Sequence, residues 1–214
     1  MHDYQRQFIE FALQHRILRF GEFTLKSGRV SPYFFNSGLF NSGLALSQLG
    51  HFYAQTIQQA RLSFDTLFGP AYKGIPLATT TAIALTQHYQ HDVAVRFNRK
   101  EVKDHGEGGD LIGGDLQGRV LLIDDVITAG TAFHQAKSLI EQHSAQLIGA
   151  VIALDRQERG INDQRSAIQL IEQQYAIPVL SIIQLSDLVT YLTELGHFDP
   201  VIKQIHQYQQ QYGI

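Results

Sequence analysis

Apolar and polar positions along this chain follow two periods, and the change from one to the other divides it. Behind Asp3, Tyr4, Phe8, Phe11, Ala12 and Ile17 recur at helical spacing and predict an amphipathic helix from about Asp3 to Arg19. Between Phe20 and Phe40, Gly21, Gly28, Pro32 and Gly38 separate short β-prone runs, the pattern of a small irregular subdomain. The helical period returns from Leu44 to Ala60. Strands and helices then alternate. Strands are predicted at Thr66 to Phe68, Val93 to Phe97, Val120 to Ile123, Leu147 to Leu154 and Val179 to Ile183, and helices at Ile75 to Tyr89, Ala132 to His143 and Asp163 to Tyr175. The Gln-rich stretch from Gln204 to Gln211 reads as a polar helix face. Apolar strands without polar alternation, separated by helices, belong to a parallel sheet covered on both faces. The fold class is therefore α/β, a doubly wound parallel sheet with flanking helices. Such sheets bind ligands beyond the carboxyl ends of their strands.

Composition narrows the class. A chain of 214 residues is expected to form a single domain, residues 1–214, with the segment around 20–40 as an appendage. Hydrophobic residues at 44% and charged residues at 17% exclude disordered, collagen-like and coiled-coil proteins. The longest apolar run, Leu147 to Leu154, is far below the roughly 20 residues of a spanning helix, so no membrane partner is expected. The start lacks a basic and apolar leader and the chain has no cysteine, which fits a reducing cytoplasm and excludes thiolate chemistry. A net charge of −3 gives no general attraction for nucleic acid. Any anionic ligand must be met by local clusters of cations.

Four segments carry candidate chemistry. In Val120 to Ala132 a buried strand delivers Asp124 and Asp125 to its carboxyl end, and Val126-Ile127-Thr128-Ala129-Gly130-Thr131 then opens a helix. Free N–H groups at a helix start, with threonine hydroxyls, form a phosphate cradle, and without a lysine this one is not a Walker A loop. Two carboxylates beside it would repel phosphate unless they accept sugar hydroxyls or lie near Mg²⁺, so the ligand should carry both phosphate and sugar. The segment Arg96 to Gly109 is basic and Gly-rich, with four Lys/Arg against two Asp/Glu from 96 to 105. It reads as a mobile lid that brings charge to a reacting centre. In Phe68 to Pro76, Gly69 and Gly74 permit positive φ or close ligand approach, and Lys73 adds a point charge. In Phe23 to Asn36, Phe34 and Phe35 can wall a planar ring, although paired Phe are more often core. Arg156 offers a planar guanidinium that either takes a ligand carboxylate or pairs with Asp155 or Glu158. His88 and His91 lack a metal motif and read as surface residues.

The thirteen residues from Val120 to Ala132 resemble the signature of the type I phosphoribosyltransferases. With the basic segment, Phe34-Phe35 and Arg156, the resemblance covers nearly the whole chain and is to the orotate phosphoribosyltransferases. It implies a hood formed mainly by about 20–40, Mg²⁺ as cofactor and a homodimer with shared active sites. By resemblance, Lys26, Tyr72, Lys73, Arg99, Lys100, Lys103, His105, Asp124, Asp125, Val126, Ile127, Thr128, Ala129, Gly130, Thr131 and Ala132 bind 5-phosphoribosyl 1-diphosphate. Phe34, Phe35, Thr128 and Arg156 bind orotate, and Lys103, His105 and Asp125 are catalytic. No direct protein ligand for the metal is implied beyond the neighbourhood of Asp124 and Asp125. A regulator that binds 5-phosphoribosyl 1-diphosphate, or a transferase for another base, would share the acidic loop.

Overall fold

A computed structural model of the chain describes residues 1–103 and 109–214, and of residues 102 and 103 only the backbone. Its main sheet has six strands: β3 (Thr66–Gly69), β4 (Ala94–Lys103), β5 (Gly109–Ile112), β6 (Arg119–Ile123), β7 (Gln146–Asp155) and β8 (Val179–Gln184). They lie in the order β5-β4-β3-β6-β7-β8, parallel except for β5, which runs antiparallel to β4. Residues of β6 alternate between two cores. Leu121 and Ile123 pack with the helices α1 (Asp3–Gln14), α2 (Gly43–Ala60), α3 (Gly74–Tyr89) and α6 (Leu185–Leu195). Val120 and Leu122 pack with α4 (Thr131–Gln142) and α5 (Ala167–Tyr175). This is the doubly wound arrangement expected from the continuous apolar strands, because each strand residue has a hydrophobic layer to enter whichever side it faces. Among the described residues no helix is long and apolar enough to cross a membrane.

Residues 18–35 form a separate antiparallel pair, β1 (Leu18–Thr24) and β2 (Val30–Phe35). The opening helix stops at Gln14, short of the predicted Arg19, because the chain turns through a left-handed Arg16 (φ 57°). Ile17 keeps helical spacing in sequence yet enters the core from the bend just before β1. Helix α5 likewise begins later than Asp163. Ser166 caps it, accepting from the Gln169 N–H while the Gln169 side chain accepts from the Ser166 N–H. Strand β5 and helix α6 have no counterpart in the sequence reading. A final helix, α7 (Asp199–Tyr212), follows, and its end packs beside the loop after β7.

Candidate active site

Strand order reverses between β3 and β6: the chain proceeds outward from β3 to β4, then returns to lay β6 on the other side of β3. A crevice opens at such a switch point, beyond the carboxyl ends of the two strands. Gly69 ends β3 there, and Asp124 and Asp125 follow β6. The loops meet directly, with Lys73 Nζ 2.7 Å from Asp125 Oδ2. The Ser37 hydroxyl, just past β2, donates to the same carboxylate oxygen. The segment after β2, the β3 loop and the β6 loop therefore converge on Asp125, a 7% exposed acid whose Oδ2 is met by both the Ser37 hydroxyl and the Lys73 ammonium.

Asp124 lies deeper in electrostatic terms. Burial, then the neighbouring Asp125 charge, raises its carboxyl from 3.8 to about 7, against the pull of Lys73. Its Oδ1 accepts from the Asp125 N–H at 2.8 Å, and its backbone carbonyl accepts from the buried Tyr53 hydroxyl at 2.7 Å. Asp125 Oδ1 accepts from the Val126 N–H, and the Asp125 carbonyl from the Ala153 N–H. The acidic pair is thus locked by its own loop, by β7 and by α2.

Helix α4 then starts without a side-chain cap: its N-cap is Gly130 in the left-handed region (φ 76°). Thr128, Ala129, Thr131 and Ala132 are exposed around it, so the unpaired N–H groups of the first turn face solvent. Gly130 earns its place by that φ, while Gly69 and Gly74 are required for another reason. Neither of the latter has positive φ. A Cβ on Gly69 would stand 2.2 Å from the Gly74 carbonyl oxygen, and one on Gly74 2.5 Å from Pro70 Cδ. Their smallness lets the loop fold tightly on itself, where the sequence reading allowed for positive φ or a ligand. The Ala71 N–H in this loop donates to Asn98 Oδ1 at 2.7 Å, and the Lys100 ammonium sits 4.5 Å from the centroid of the exposed Tyr72 ring.

Up to residue 103 the basic segment is extended strand. Arg96 to Lys103 continue β4 in extended form and pair with β5. Arg96 donates to the carbonyls of Val95 and Asp115, closing the turn after β5. Arg99 and Lys100 lie on this strand. The Lys103 side chain and His105 fall outside the described residues.

Phe34 and Phe35 point to opposite faces, as neighbours in a strand must. Phe35 joins the core with Phe8 and Phe40, while Phe34 is partly exposed and stacks on Phe23, with Arg19 over both rings. Lys26 is exposed in the hairpin turn. Arg156 is buried just beyond β7 and pairs with Glu158 at 2.6 Å. No contact among the described residues joins Lys26 or Arg156 to the acidic pair. The sequence reading missed Ser37, Tyr53 and Asn98. Ser37 sat next to a flagged segment and Asn98 within one. Tyr53 looks like ordinary helix core, its polar tip being the only signal.

Comparison with known proteins agrees with this geometry. Residues 37–184 match the phosphoribosyl transferase domain family. The chain is 58% identical over all 214 residues to the orotate phosphoribosyltransferase of Alteromonas mediterranea, covering 100% of both chains. It is 56% identical to that of Shewanella oneidensis, covering 100% of this chain and 99% of the relative. The crystal structure of orotate phosphoribosyltransferase from Francisella tularensis superimposes with a TM-score of 0.89 at 44% identity, over 97% of this chain and 100% of that one.

Proposed function

Given that this chain belongs to the orotate phosphoribosyltransferases within the phosphoribosyl transferase domain family, we propose that it joins orotate to 5-phosphoribosyl 1-diphosphate. The products are orotidine 5′-monophosphate and diphosphate, a step of pyrimidine synthesis. The observation that carries the reading is the Lys73–Asp125 contact across the switch point, next to an uncapped helix start. One crevice thereby holds a cation for diphosphate, acids for ribose and free N–H groups for a phosphate.

Mg²⁺ fits the donor set. Two hard carboxylates stand together, and among the described residues no cluster of three ligating side chains exists to cage an ion. Mg²⁺ commonly takes one or two carboxylates and completes its shell with substrate phosphates and water. Asp124 and Asp125 would hold it, and it would neutralise charge on the diphosphate.

Breaking the anomeric bond builds positive charge on ribose and negative charge on diphosphate. Lys73, exposed and among the described residues bonded to Asp125, would turn its ammonium to the diphosphate when the donor arrives. Arg99 and Lys100 on β4, with Lys103 and His105 beyond, add cations to the same leaving group, and Lys103 or His105 can supply its proton. The loop Val126 to Ala132 receives the 5′-phosphate on its backbone N–H groups. Asp124 and Asp125 accept from the ribose hydroxyls and so set the anomeric carbon for attack by the orotate ring nitrogen. Phe34 and Arg156 address the base, Arg156 through its carboxylate. We also propose a cytoplasmic homodimer in which Arg99, Lys103 and His105 enter the partner's site. The test is spectrophotometric: orotate absorbance should fall when Mg²⁺ and the diphosphate donor are added. A flat trace with orotate, or equal turnover of uracil or hypoxanthine, defeats the assignment.

A further inference from the structure

Arg156 follows β7 and keeps only 9% of its surface exposed. Its Nε donates to Glu158 Oε1 at 2.7 Å, and Nη2 is 2.6 Å from the same oxygen. Nη2 also donates to the buried Ser31 hydroxyl at 3.2 Å, and the guanidinium carbon lies 4.6 Å from the Tyr33 ring centroid. One edge and one face of a planar guanidinium are thus occupied, leaving the edge that carries Nη1. Nη1 has no well-formed hydrogen bond among the described residues. The buried Tyr208 hydroxyl lies close enough to Arg156 and Glu158 to interact with both, without a well-formed hydrogen bond among the described residues.

Glu158 is itself held from three sides. Its backbone bridges Gly213 at the end of α7, and its Oε2 is 3.6 Å from Arg29 Nη1 of the hairpin. Arg29 donates to the carbonyls of Arg159 and Gly160, and its guanidinium lies 4.7 Å from the Tyr212 ring centroid. The neighbouring Asp155 carboxylate turns back to the Gln157 N–H. In direct contact, then, two guanidinium groups share one carboxylate, with side chains only 10–15% exposed. An excess buried cation is costly until an anion reaches it.

We infer that Glu158 is a positioning residue for base recognition: it pins the Nε/Nη2 edge of Arg156 so that the Nη1 edge is presented to the carboxylate of orotate. This rests on the reading above that orotate is the substrate. It predicts a contact through Nη1 rather than the side-on Nε/Nη2 fork that a free arginine offers. Because the pinning hydrogen bond runs from Nε to the single oxygen Oε1, a neutral amide oxygen in the same place can accept it.

The test is a set of steady-state measurements with each substrate varied in turn. Glu158→Ala should raise the KM for orotate about tenfold, the loss of roughly one charge-assisted hydrogen bond's orientation, with the KM for 5-phosphoribosyl 1-diphosphate within about twofold. Glu158→Gln should restore the orotate KM to within about threefold of wild type. An orotate KM that is unchanged or lower in Glu158→Ala would show that Glu158 only competes for the guanidinium, and a parallel rise for both substrates would show a general structural role; either overturns the inference. If Glu158→Ala does not fold, Ser31→Ala removes the second acceptor on Nη2, and an orotate KM that does not rise in that variant overturns it equally. Wild-type protein that fails to consume orotate strikes the functional reading instead.

Discussion

At Asp124, burial beside a second carboxylate produces a proton that the folded protein keeps and the unfolded chain gives up. With its carboxyl raised from 3.8 to about 7, the folded state binds the extra proton between those values. The stability this lends is full below about pH 4 and is lost as pH rises through 7. Asp124→Asn keeps a neutral hydrogen-bonding group there, so the ligand-free variant should lose less Tm than wild type between pH 5 and pH 8. Thermal unfolding at the two pH values checks this, and identical slopes would remove the electrostatic account. The acidic pair itself was legible from its place after an apolar strand. Its unequal environments were not, because they depend on Tyr53 from α2 and Lys73 from the β3 loop. Phe34 and Phe35 show the same limit: adjacency suggested one aromatic wall, and strand geometry sends Phe35 into the core.

Among the elements, the β3-to-α3 loop depends most on close approach. Gly69→Ala would bring its Cβ to 2.2 Å from the Gly74 carbonyl oxygen, backbone that cannot step aside cheaply. Overpacking of this kind costs about 1–3 kcal/mol, and Tm should drop by about 2–4 °C per kcal/mol in a chain this size. The KM for 5-phosphoribosyl 1-diphosphate should rise as well, since the same loop carries Lys73. Unaltered Tm and KM would contradict the packing argument. Strand and helix positions in the sheet were readable from uninterrupted apolar runs and helical spacing. Strand β5 was not, because Gly109–Ile112 is short and partly polar, and it takes strand form through its pairing with β4. The ends of α1 and α5 moved for local reasons, a left-handed Arg16 and a Ser166–Gln169 capping box. The second was present in the sequence as Ser-x-x-Gln.

At the scale of the whole molecule, the proposed sharing of active sites has an arithmetic consequence. Mixing Lys103→Ala and Asp125→Asn subunits under random exchange should return about one quarter of wild-type activity, since half the dimers are mixed and each has one intact site. No recovered activity would mean that each chain supplies its own lid. The net charge of −3 said little about an anionic ligand, because it averages over the surface. What matters is where the cations stand. Lys73 meets Asp125, Lys100 meets Tyr72, and Arg29 and Arg156 gather on Glu158.

The sequence by itself determined the doubly wound sheet, the acidic pair and the glycine at the start of α4, since these rest on period, burial and backbone freedom within a few residues. Only the tertiary structure decided that Ser37 and Lys73 meet Asp125, that Tyr53 supports Asp124 and that Ser31 and Arg29 close on the Arg156–Glu158 pair. Those contacts join elements far apart in the chain, and no local preference encodes which distant side chain will fill a given hydrogen bond.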